Sequence, residues 1–382
     1  MSDQTVLSCR LMILLIATFL PILSAGGPPE PTKAEPPLEA LVPGRWRGMM
    51  TADGKTTHMT IEVKEARQGF VGESLMWFGL TEDEAHNAQF GALPRQGVHK
   101  RAFVIEQDFA VTLAGDTIKF AGRRPRRLLL PLSYNPDTFA GRLERPGVVM
   151  GTARDTKTVG GFFHLWKEDA LHMPLPLELA KGETHELACL DGLPFHYRCH
   201  IPQSYDPAQP TPLLINSSPM GQGQPLSVKM AEEVGWLMVG LKESKNGPMP
   251  PNLENLNAVL FDLRRRFNIH PRRLYFSGFS GGSRMASWSA VNHQDACAGI
   301  ICIGAGHYDG APPKLVPIFF IVGESDFNHD EVVALHSEAE RSIRKTELII
   351  HPGGHTWGRA QDHEAAIRWL DGLAKKRRAK GD

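Results

Sequence analysis

The sequence predicts two domains of different classes, an all-β barrel or sandwich followed by a mostly parallel α/β sheet with flanking helices. Two observations carry this prediction. Between about residue 41 and residue 168, apolar and polar side chains alternate in short runs separated by Gly, Pro, Asn and Asp, as in half-buried antiparallel strands. From residue 212 onward, uninterrupted apolar runs alternate with helix-length segments, which is typical of buried parallel strands. At 382 residues, the chain is long enough for both domains.

The amino terminus has the pattern of a secretory signal peptide, predicted over residues 1–26. Arg10 precedes an apolar stretch at residues 11–23 that is too short to span a bilayer comfortably, and small residues follow it. A proline-rich linker is predicted over residues 27–42, because such a segment cannot build a core. We therefore expect a secreted or periplasmic protein with no stable membrane insertion after cleavage, and an uncleaved anchor is the alternative.

The predicted all-β accessory domain covers residues 43–170. Met59, Ile61 and Val63 alternate with polar neighbours, and the same period recurs further along the chain. The sequence assigns this domain no chemistry. Its large aromatic residues are expected in the core rather than on a ligand platform: Trp46, Trp77 and Trp166.

The predicted α/β domain covers residues 178–378, and its most informative stretch is Gly278-Phe279-Ser280-Gly281-Gly282. An apolar run leads into this stretch and helix-forming residues follow it. A strand that feeds a sharp Gly-x-Ser-x-Gly turn and then a helix is the geometry of a nucleophile elbow. A Cβ at either flanking glycine would crowd so tight a turn. The pattern therefore predicts that Ser280 projects alone at the edge of the sheet.

Two later apolar runs each end in a loop that carries a candidate partner for Ser280. Asp326 follows the run at 316–322, and His355 follows the run at 347–351. Open α/β sheets place their active sites at the carboxyl ends of the strands. A serine hydroxyl needs an imidazole to take its proton, and the imidazole needs a carboxylate to orient it. The chain order Ser, Asp, His therefore predicts a triad of Ser280, Asp326 and His355.

Other candidates for these roles lie nearby. Asp330 and Glu324 are the alternatives to Asp326, and His351 is expected inside the last strand, facing away from Ser280. Three further histidines precede or accompany the acid loop, which breaks the expected order: His307, His329 and His336. The helix before the elbow is expected to follow Pro250 and Pro251, with Asn252 as its cap.

The motifs resemble a known family. Asn268-Ile-His-Pro-Arg-Arg-Leu-Tyr275 before the elbow, Gly323-Glu-Ser-Asp326 and Gly353-Gly-His-Thr-Trp357 look like segments of secreted α/β-hydrolases of the polyhydroxybutyrate depolymerase and feruloyl esterase type. The resemblance covers residues 180 to 375. It implies an α/β-hydrolase fold and a serine carboxylic ester hydrolase that works through an acyl-enzyme, with Ser280, Asp326 and His355 as its triad. The substrate would be an ester, small or polymeric.

One segment departs from that family, whose members usually have a His-Gly-Gly-rich loop that helps to form the oxyanion hole. Here the strand at 212–215 continues into Asn-Ser-Ser-Pro-Met-Gly. The expected donors are the N–H of Gly281 and that of Ser217 or Ser218, and losing one such donor costs on the order of a hundredfold in rate. A catalytically weak or inactive binding protein is therefore a second hypothesis. A serine peptidase of the prolyl-oligopeptidase type is a third, although the β region is too short for a propeller.

Charge and cysteine content bear on partners and cofactors. Lys plus Arg total 42 and Asp plus Glu total 42, so no global positive field favours nucleic acid. No C-x-x-C or His-rich spacing indicates a metal or another cofactor. Because the two halves differ in period and composition, each is expected to bury its own core. Export would leave four cysteines whose pairing the sequence leaves open: Cys189, Cys199, Cys297 and Cys302.

Overall fold

The computed structural model describes residues 42–379, except for 53, 68, 89–101, 130–137, 146, 155–158, 168–177, 190–193, 309–315 and 343. The predicted signal peptide (1–26) and all but the last residue of the predicted linker (27–42) lie outside the described residues. The stretch 168–177 also lies outside the described residues, so the predicted domain boundaries at residues 170 and 178 stay predictions. In the described part of the chain, no helix combines the length and apolar character needed to cross a lipid bilayer.

Eight antiparallel strands in the N-terminal half close into a barrel, with neighbours in chain order and the first strand paired to the last. The all-β prediction is confirmed, and closure distinguishes a barrel from a sandwich. Met59, Ile61 and Val63 are buried in its interior, as their period predicts. The elements are β1 (Gly44–Ala52), β2 (Lys55–Glu65), β3 (Phe70–Phe78), α1 (Glu82–Asn87), β4 (Phe103–Ala114), β5 (Thr117–Leu129), β6 (Thr138–Arg145), β7 (Val148–Arg154) and β8 (Val159–Lys167).

The C-terminal half is built on one eight-stranded sheet with helices on both faces. Its strands are β9 (Glu183–Ala188), β10 (His196–Ile201), β11 (Thr211–Ser217), β12 (Leu237–Leu241), β13 (Ile269–Phe279), β14 (Cys297–Ile303), β15 (Ile318–Gly323) and β16 (Thr346–His351). Its helices are α2 (Val228–Val234), α3 (Met249–Arg266), α4 (Gly281–Asn292), α5 (His329–Glu340) and α6 (Ala360–Ala379).

The strand order in this sheet is β16-β15-β14-β13-β11-β12-β10-β9. Only β10 runs antiparallel to both of its neighbours, and β11 to β16 are parallel. Successive side chains of a strand point to opposite faces, so Leu213 and Ile215 pack with α3 and α4, whereas Leu214 packs with α2 and α6. This is the α/β-hydrolase fold that the sequence predicts.

The N-terminus of α3 differs from its prediction. The helix begins at Met249, with Pro248 as its cap, so Asn252 lies inside the first turns and is not a cap. Proline is tolerated in the first turn because the N–H that it lacks would have no partner there. The side chain of Asn252 is buried and bonds instead to the backbone of the preceding loop.

The barrel packs directly on α3 and α4 of the C-terminal half. Trp288 Nε1 donates to Gly54 O at 2.9 Å, and Asn257 Nδ2 donates to Thr51 Oγ1 and Thr56 Oγ1 at 2.7 Å each. The expectation that each half buries its own core is therefore incomplete, because the two halves share buried hydrogen bonds. They also share two small apolar clusters: Met49, Val148, Met150 and Trp166 with Phe261, and Phe78 with Trp288 and Val291.

Candidate active site

Ser280 occupies the sharp turn between β13 and α4. Its φ of 54° and ψ of −117° lie outside the regions that a residue with a side chain ordinarily adopts. A Cβ on Gly278 would lie 2.3 Å from the carbonyl of Gly282, and one on Gly282 would lie 2.2 Å from Ser217 O. The expectation that side chains at the flanking positions would crowd this turn is confirmed.

The structure brings the side chains of Ser280, His355 and Asp326 together. His355 Nε2 is 2.9 Å from Ser280 Oγ, and His355 Nδ1 is 3.0 and 2.9 Å from the two oxygens of Asp326. A carboxylate only accepts hydrogen bonds, so the proton of the neutral imidazole is assigned to Nδ1. Nε2 is then the acceptor for the Ser280 hydroxyl.

Asn328 and Gly304, which the sequence reasoning missed, help to position the carboxylate of Asp326. The side chain of Asp326 is fully buried, and its Oδ1 accepts a hydrogen bond of 2.8 Å from the backbone N–H of Asn328. Asn328 Nδ2 in turn donates to Gly304 O at 2.8 Å. Gly304 has a φ of +62°, and a Cβ there would lie 2.8 Å from the ring of Phe279. The available signals were the Asp-x-Asn spacing of an Asx turn and the glycine that ends an apolar run.

Aromatic side chains surround the imidazole of His355. Its ring centroid is 4.6 Å from that of Phe279 and 4.2 Å from that of Phe327. Phe279 also contacts Trp357, at 5.1 Å between centroids. Phe327 is 77% exposed, which is unusual for a large apolar residue. The sequence alone did not single out Phe327 as a site residue.

The side chains of the alternative acids and histidines do not join the hydrogen bonds among Ser280, His355 and Asp326. Asp330 is exposed and its carboxylate lies 3.0 Å from His329 Nδ1, and Glu324 is also exposed. His351 is buried at the end of β16, where its Nδ1 lies 3.0 Å from Pro352 O. The structure gives none of these residues a hydrogen bond to Ser280 or His355.

The predicted oxyanion donors border the elbow on two sides. Gly281 is the first residue of α4, and the N–H groups of a helix N-terminus lack intrahelical partners and favour negative charge. On the other side, a Cβ on Gly282 would lie 2.2 Å from Ser217 O and 3.3 Å from Ser218 N. The peptide group between Ser217 and Ser218 therefore lies beside the elbow with its carbonyl oxygen nearest to Gly282, and the choice between the N–H groups of Ser217 and Ser218 stays open.

Burial disfavours the reactive thiolate form of three cysteines. Cys199, Cys297 and Cys302 are free thiols. Burial raises the pKa of Cys302 to about 11 and that of Cys297 to about 12, and it also raises the pKa of Cys199. A protonated thiol is a poor nucleophile and a poor metal ligand. Among the described residues, no group of three or more His, Cys, Asp or Glu side chains is arranged to hold a metal ion.

About half of the chain is similar in fold to solved hydrolase structures. An S-formylglutathione hydrolase from Staphylococcus aureus is 12% identical, with a TM-score of 0.41 over 51% of this chain and 99% of that one. A ferulic acid esterase is 13% identical, with a TM-score of 0.39 over 50% and 97%. A bacterial heroin esterase is 18% identical, with a TM-score of 0.40 over 50% and 86%. No protein-family model matches the sequence, and no curated protein matches it.

Proposed function

We propose that this protein is an exported serine carboxylic ester hydrolase in which Ser280 is the nucleophile, His355 the general base and Asp326 the orienting acid. The observation that carries the proposal is the continuous hydrogen-bonded arrangement of these three side chains, with 2.9 Å between Ser280 Oγ and His355 Nε2. The strained elbow supports it, because residues in sparsely populated conformations cluster at functional sites.

The proposed reaction has two halves. Ser280 Oγ attacks the ester carbonyl carbon while His355 Nε2 takes the hydroxyl proton, which gives a tetrahedral oxyanion. The C–O bond to the alcohol then breaks, and His355 gives the proton to the departing oxygen. Water attacks the acyl-enzyme in the same way, so that the acid leaves and the Ser280 hydroxyl is restored. Asp326 holds the imidazole in the required tautomer and stabilises its charged form.

The oxyanion would be stabilised by backbone N–H groups at the elbow. Gly281 N–H opens α4 and would point at the developing charge, and the N–H of Ser217 or Ser218 would be the second donor. The exposed apolar side chains of Phe327 and Met220 favour an ester with an apolar group. A peptidase of the prolyl-oligopeptidase type has no such support, because the described strands of the N-terminal half close into one barrel.

The test of the chemistry is a profile of hydrolysis on aryl esters of graded acyl length, with aryl amides alongside. Ser280→Ala should abolish ester hydrolysis, and a fluorophosphonate probe should label the wild type and not this variant. Ser289→Ala is the matched control, since the Ser289 hydroxyl on α4 donates to Met285 O of its own helix and has no other partner among the described residues. Retention of more than a few per cent of the activity by Ser280→Ala would contradict the proposal. Faster cleavage of amides than of esters would favour a peptidase.

The same assay tests the partners of Ser280. His355→Ala should lower the rate about as much as Ser280→Ala, because members of one catalytic unit are not additive. Asp326→Asn should fold and lose most of its activity, since an amide cannot hold the same imidazole tautomer. If Asp330→Asn is the damaging change and Asp326→Asn is harmless, the acid is Asp330.

Export is the part of the proposal that rests on residues 1–26. To test export, the chain is expressed in a secreting bacterial host. Mass spectrometry of the N-terminal peptide of the extracellular or periplasmic protein then gives the cleavage site. We expect a mature chain that begins at or near residue 27, within the run of small residues at 24–27. A chain that stays in the cytoplasm and retains residue 1 would contradict export without affecting the proposed chemistry.

A further inference from the structure

The residue after the proposed nucleophile, Gly281, has no side chain, and the carboxamide of Asn246 occupies the place where one would be. A Cβ built on Gly281 would lie 1.9 Å from Asn246 Oδ1 and 3.1 Å from Asn246 Cγ. Asn246 belongs to the loop between β12 and α3, far from the elbow in sequence. A polar side chain from another loop is therefore held against the backbone that carries a proposed oxyanion donor.

The loop of Asn246 is joined to the loop that follows Ser218. The backbone N–H of Asn246 donates to Pro219 O at 2.8 Å. One residue earlier, Lys245 forms an isolated antiparallel bridge with Met220. The two loops thus form a short two-stranded clamp beside the elbow, with Asn246 on one strand and Ser218 at the start of the other.

Two side chains fix the clamp. Asn252 Oδ1 accepts from Lys245 N at 3.0 Å, and Asn252 Nδ2 donates to Lys245 O at 2.9 Å and to Pro248 O at 3.1 Å. Ser244 Oγ donates to Ser218 O at 3.2 Å. Both ends of the Asn252 amide are therefore used to hold the backbone immediately before Asn246. The backbone that carries the Asn246 side chain is therefore preorganised, and preorganised donors are what electrostatic stabilisation of a transition state requires.

The side chain of Asn246 is not itself used in this scaffold. The residue is exposed, and its carboxamide makes no hydrogen bond to the described part of the chain. The χ2 torsion of asparagine is broad and roughly two-fold, so either end of the amide can face Gly281. The Nδ2 group offers two hydrogen-bond donors. A negative charge that develops beside Gly281 N–H would favour the orientation with Nδ2 inward.

We propose that Asn246 is a catalytic residue whose Nδ2 group donates a hydrogen bond to the oxyanion, beside the backbone N–H of Gly281. This inference rests on the proposed ester hydrolysis through Ser280. It explains why a glycine follows the nucleophile, because any side chain at position 281 would displace the carboxamide. The chemical group recognised is the tetrahedral oxyanion of acyl transfer, irrespective of the acyl chain.

The test compares Asn246→Ala and Asn246→Asp with the wild type on a small soluble aryl ester. Asn246→Ala should lower kcat by about a hundredfold with little change in KM, as expected for a donor that acts only in the transition state. Asn246→Asp has nearly the same shape but has no donor and carries a negative charge, so it should lose at least as much. Affinity for an aryl boronic acid, which forms a tetrahedral adduct with the serine, should fall in parallel with kcat/KM.

Controls separate this role from a structural one. Asn87→Ala and Asn87→Asp change an exposed asparagine on α1 of the barrel and should leave kcat and boronic acid affinity unchanged. If Asn246→Asp keeps the wild-type rate, or if the loss appears only in KM, the carboxamide merely fills space and the inference is overturned. Wild-type esterase activity that Ser280→Ala abolishes would then leave the proposed function standing. A wild-type protein that neither hydrolyses esters nor reacts with a fluorophosphonate would contradict both the proposed function and the proposed role of Asn246.

Discussion

Replacing Asn257 by leucine should destabilise the protein far more than the same change at Asn255, although both residues are buried asparagines on α3. Asn257 is fully buried, donates to Thr51 Oγ1 and Thr56 Oγ1 at 2.7 Å each, and its Oδ1 accepts from His293 Nε2 at 2.8 Å. These hydrogen bonds join the barrel to the C-terminal half. Leucine has a similar size and can make none of them.

The magnitude follows from the three lost bonds. Each buried group left without its partner costs about 1 to 3 kcal/mol. Asn257→Leu should therefore lower the free energy of unfolding by about 3 kcal/mol or more. Asn255 is 1% exposed, and neither end of its amide has a partner among the described residues. Asn255→Leu removes an unpaired buried amide, so it should be neutral or stabilise by about 1 kcal/mol.

The assay is equilibrium unfolding in urea, followed by circular dichroism and tryptophan fluorescence on the full chain. The midpoint should fall for Asn257→Leu at an unchanged slope, because the slope reports the surface exposed on unfolding. A second unfolding transition in this variant alone would show that the barrel and the C-terminal half unfold separately. Equal losses of unfolding free energy for the two variants would contradict this prediction. They would show that side-chain shape, and not hydrogen bonding, decides the stability of the two variants.

Three further outcomes are expected. Gly282→Ala should disrupt the elbow and abolish activity, because its Cβ would lie 2.2 Å from Ser217 O. In contrast, a Cβ at Gly372 on α6 meets nothing within 4 Å, so Gly372→Ala should stabilise the protein by about 0.5 to 1 kcal/mol in thermal unfolding. Burial lowers the pKa of His58 from 6.5 to about 4, so only the unfolded chain binds this proton between those values. Stability should be constant above pH 6.5 and fall towards pH 4, and His58→Gln should flatten that slope in pH-dependent urea titrations. Phe327→Ala should lower kcat/KM for phenyl esters about three- to tenfold relative to methyl esters of the same acid, because a phenyl group could pack on the exposed Phe327 ring beside His355. Equal losses on both esters would contradict this expectation.

The positions of Ser280, Asp326 and His355 could be predicted because each lies where a buried strand ends. A parallel sheet brings such ends to one edge whatever the loops do. The crowding at Gly278 was predictable for a similar reason, since it depends on Gly282 within the same turn, whereas the crowding at Gly282 comes from Ser217 on the neighbouring strand β11. Local pattern and sheet topology therefore suffice for the part of the site that strands position.

Barrel closure and the surrounding loops were beyond the sequence. Alternating apolar residues occur in a sandwich and in a barrel alike, and the distinction depends on pairing between distant residues such as Trp46 and Lys167. Asn252 was expected to cap a helix because it follows two prolines, and that prediction was wrong because the prolines are accommodated in the first turn. The place of Asn246 depends on two loops that meet only in the folded chain, so no local pattern indicates it.

The barrel and the site are connected through the same two helices. Gly54, between β1 and β2, is packed so closely against Pro250 in the first turn of α3 that a Cβ there would lie 2.9 Å from Pro250 Cγ. Its carbonyl also accepts the hydrogen bond from Trp288 on α4. The first turns of α3 contain Asn252, which holds the loop of Asn246, and α4 begins directly after Ser280. Because one hairpin of the barrel contacts both helices, the barrel is expected to stabilise the relative position of the elbow and the clamp, which a domain attached only through a flexible linker could not do.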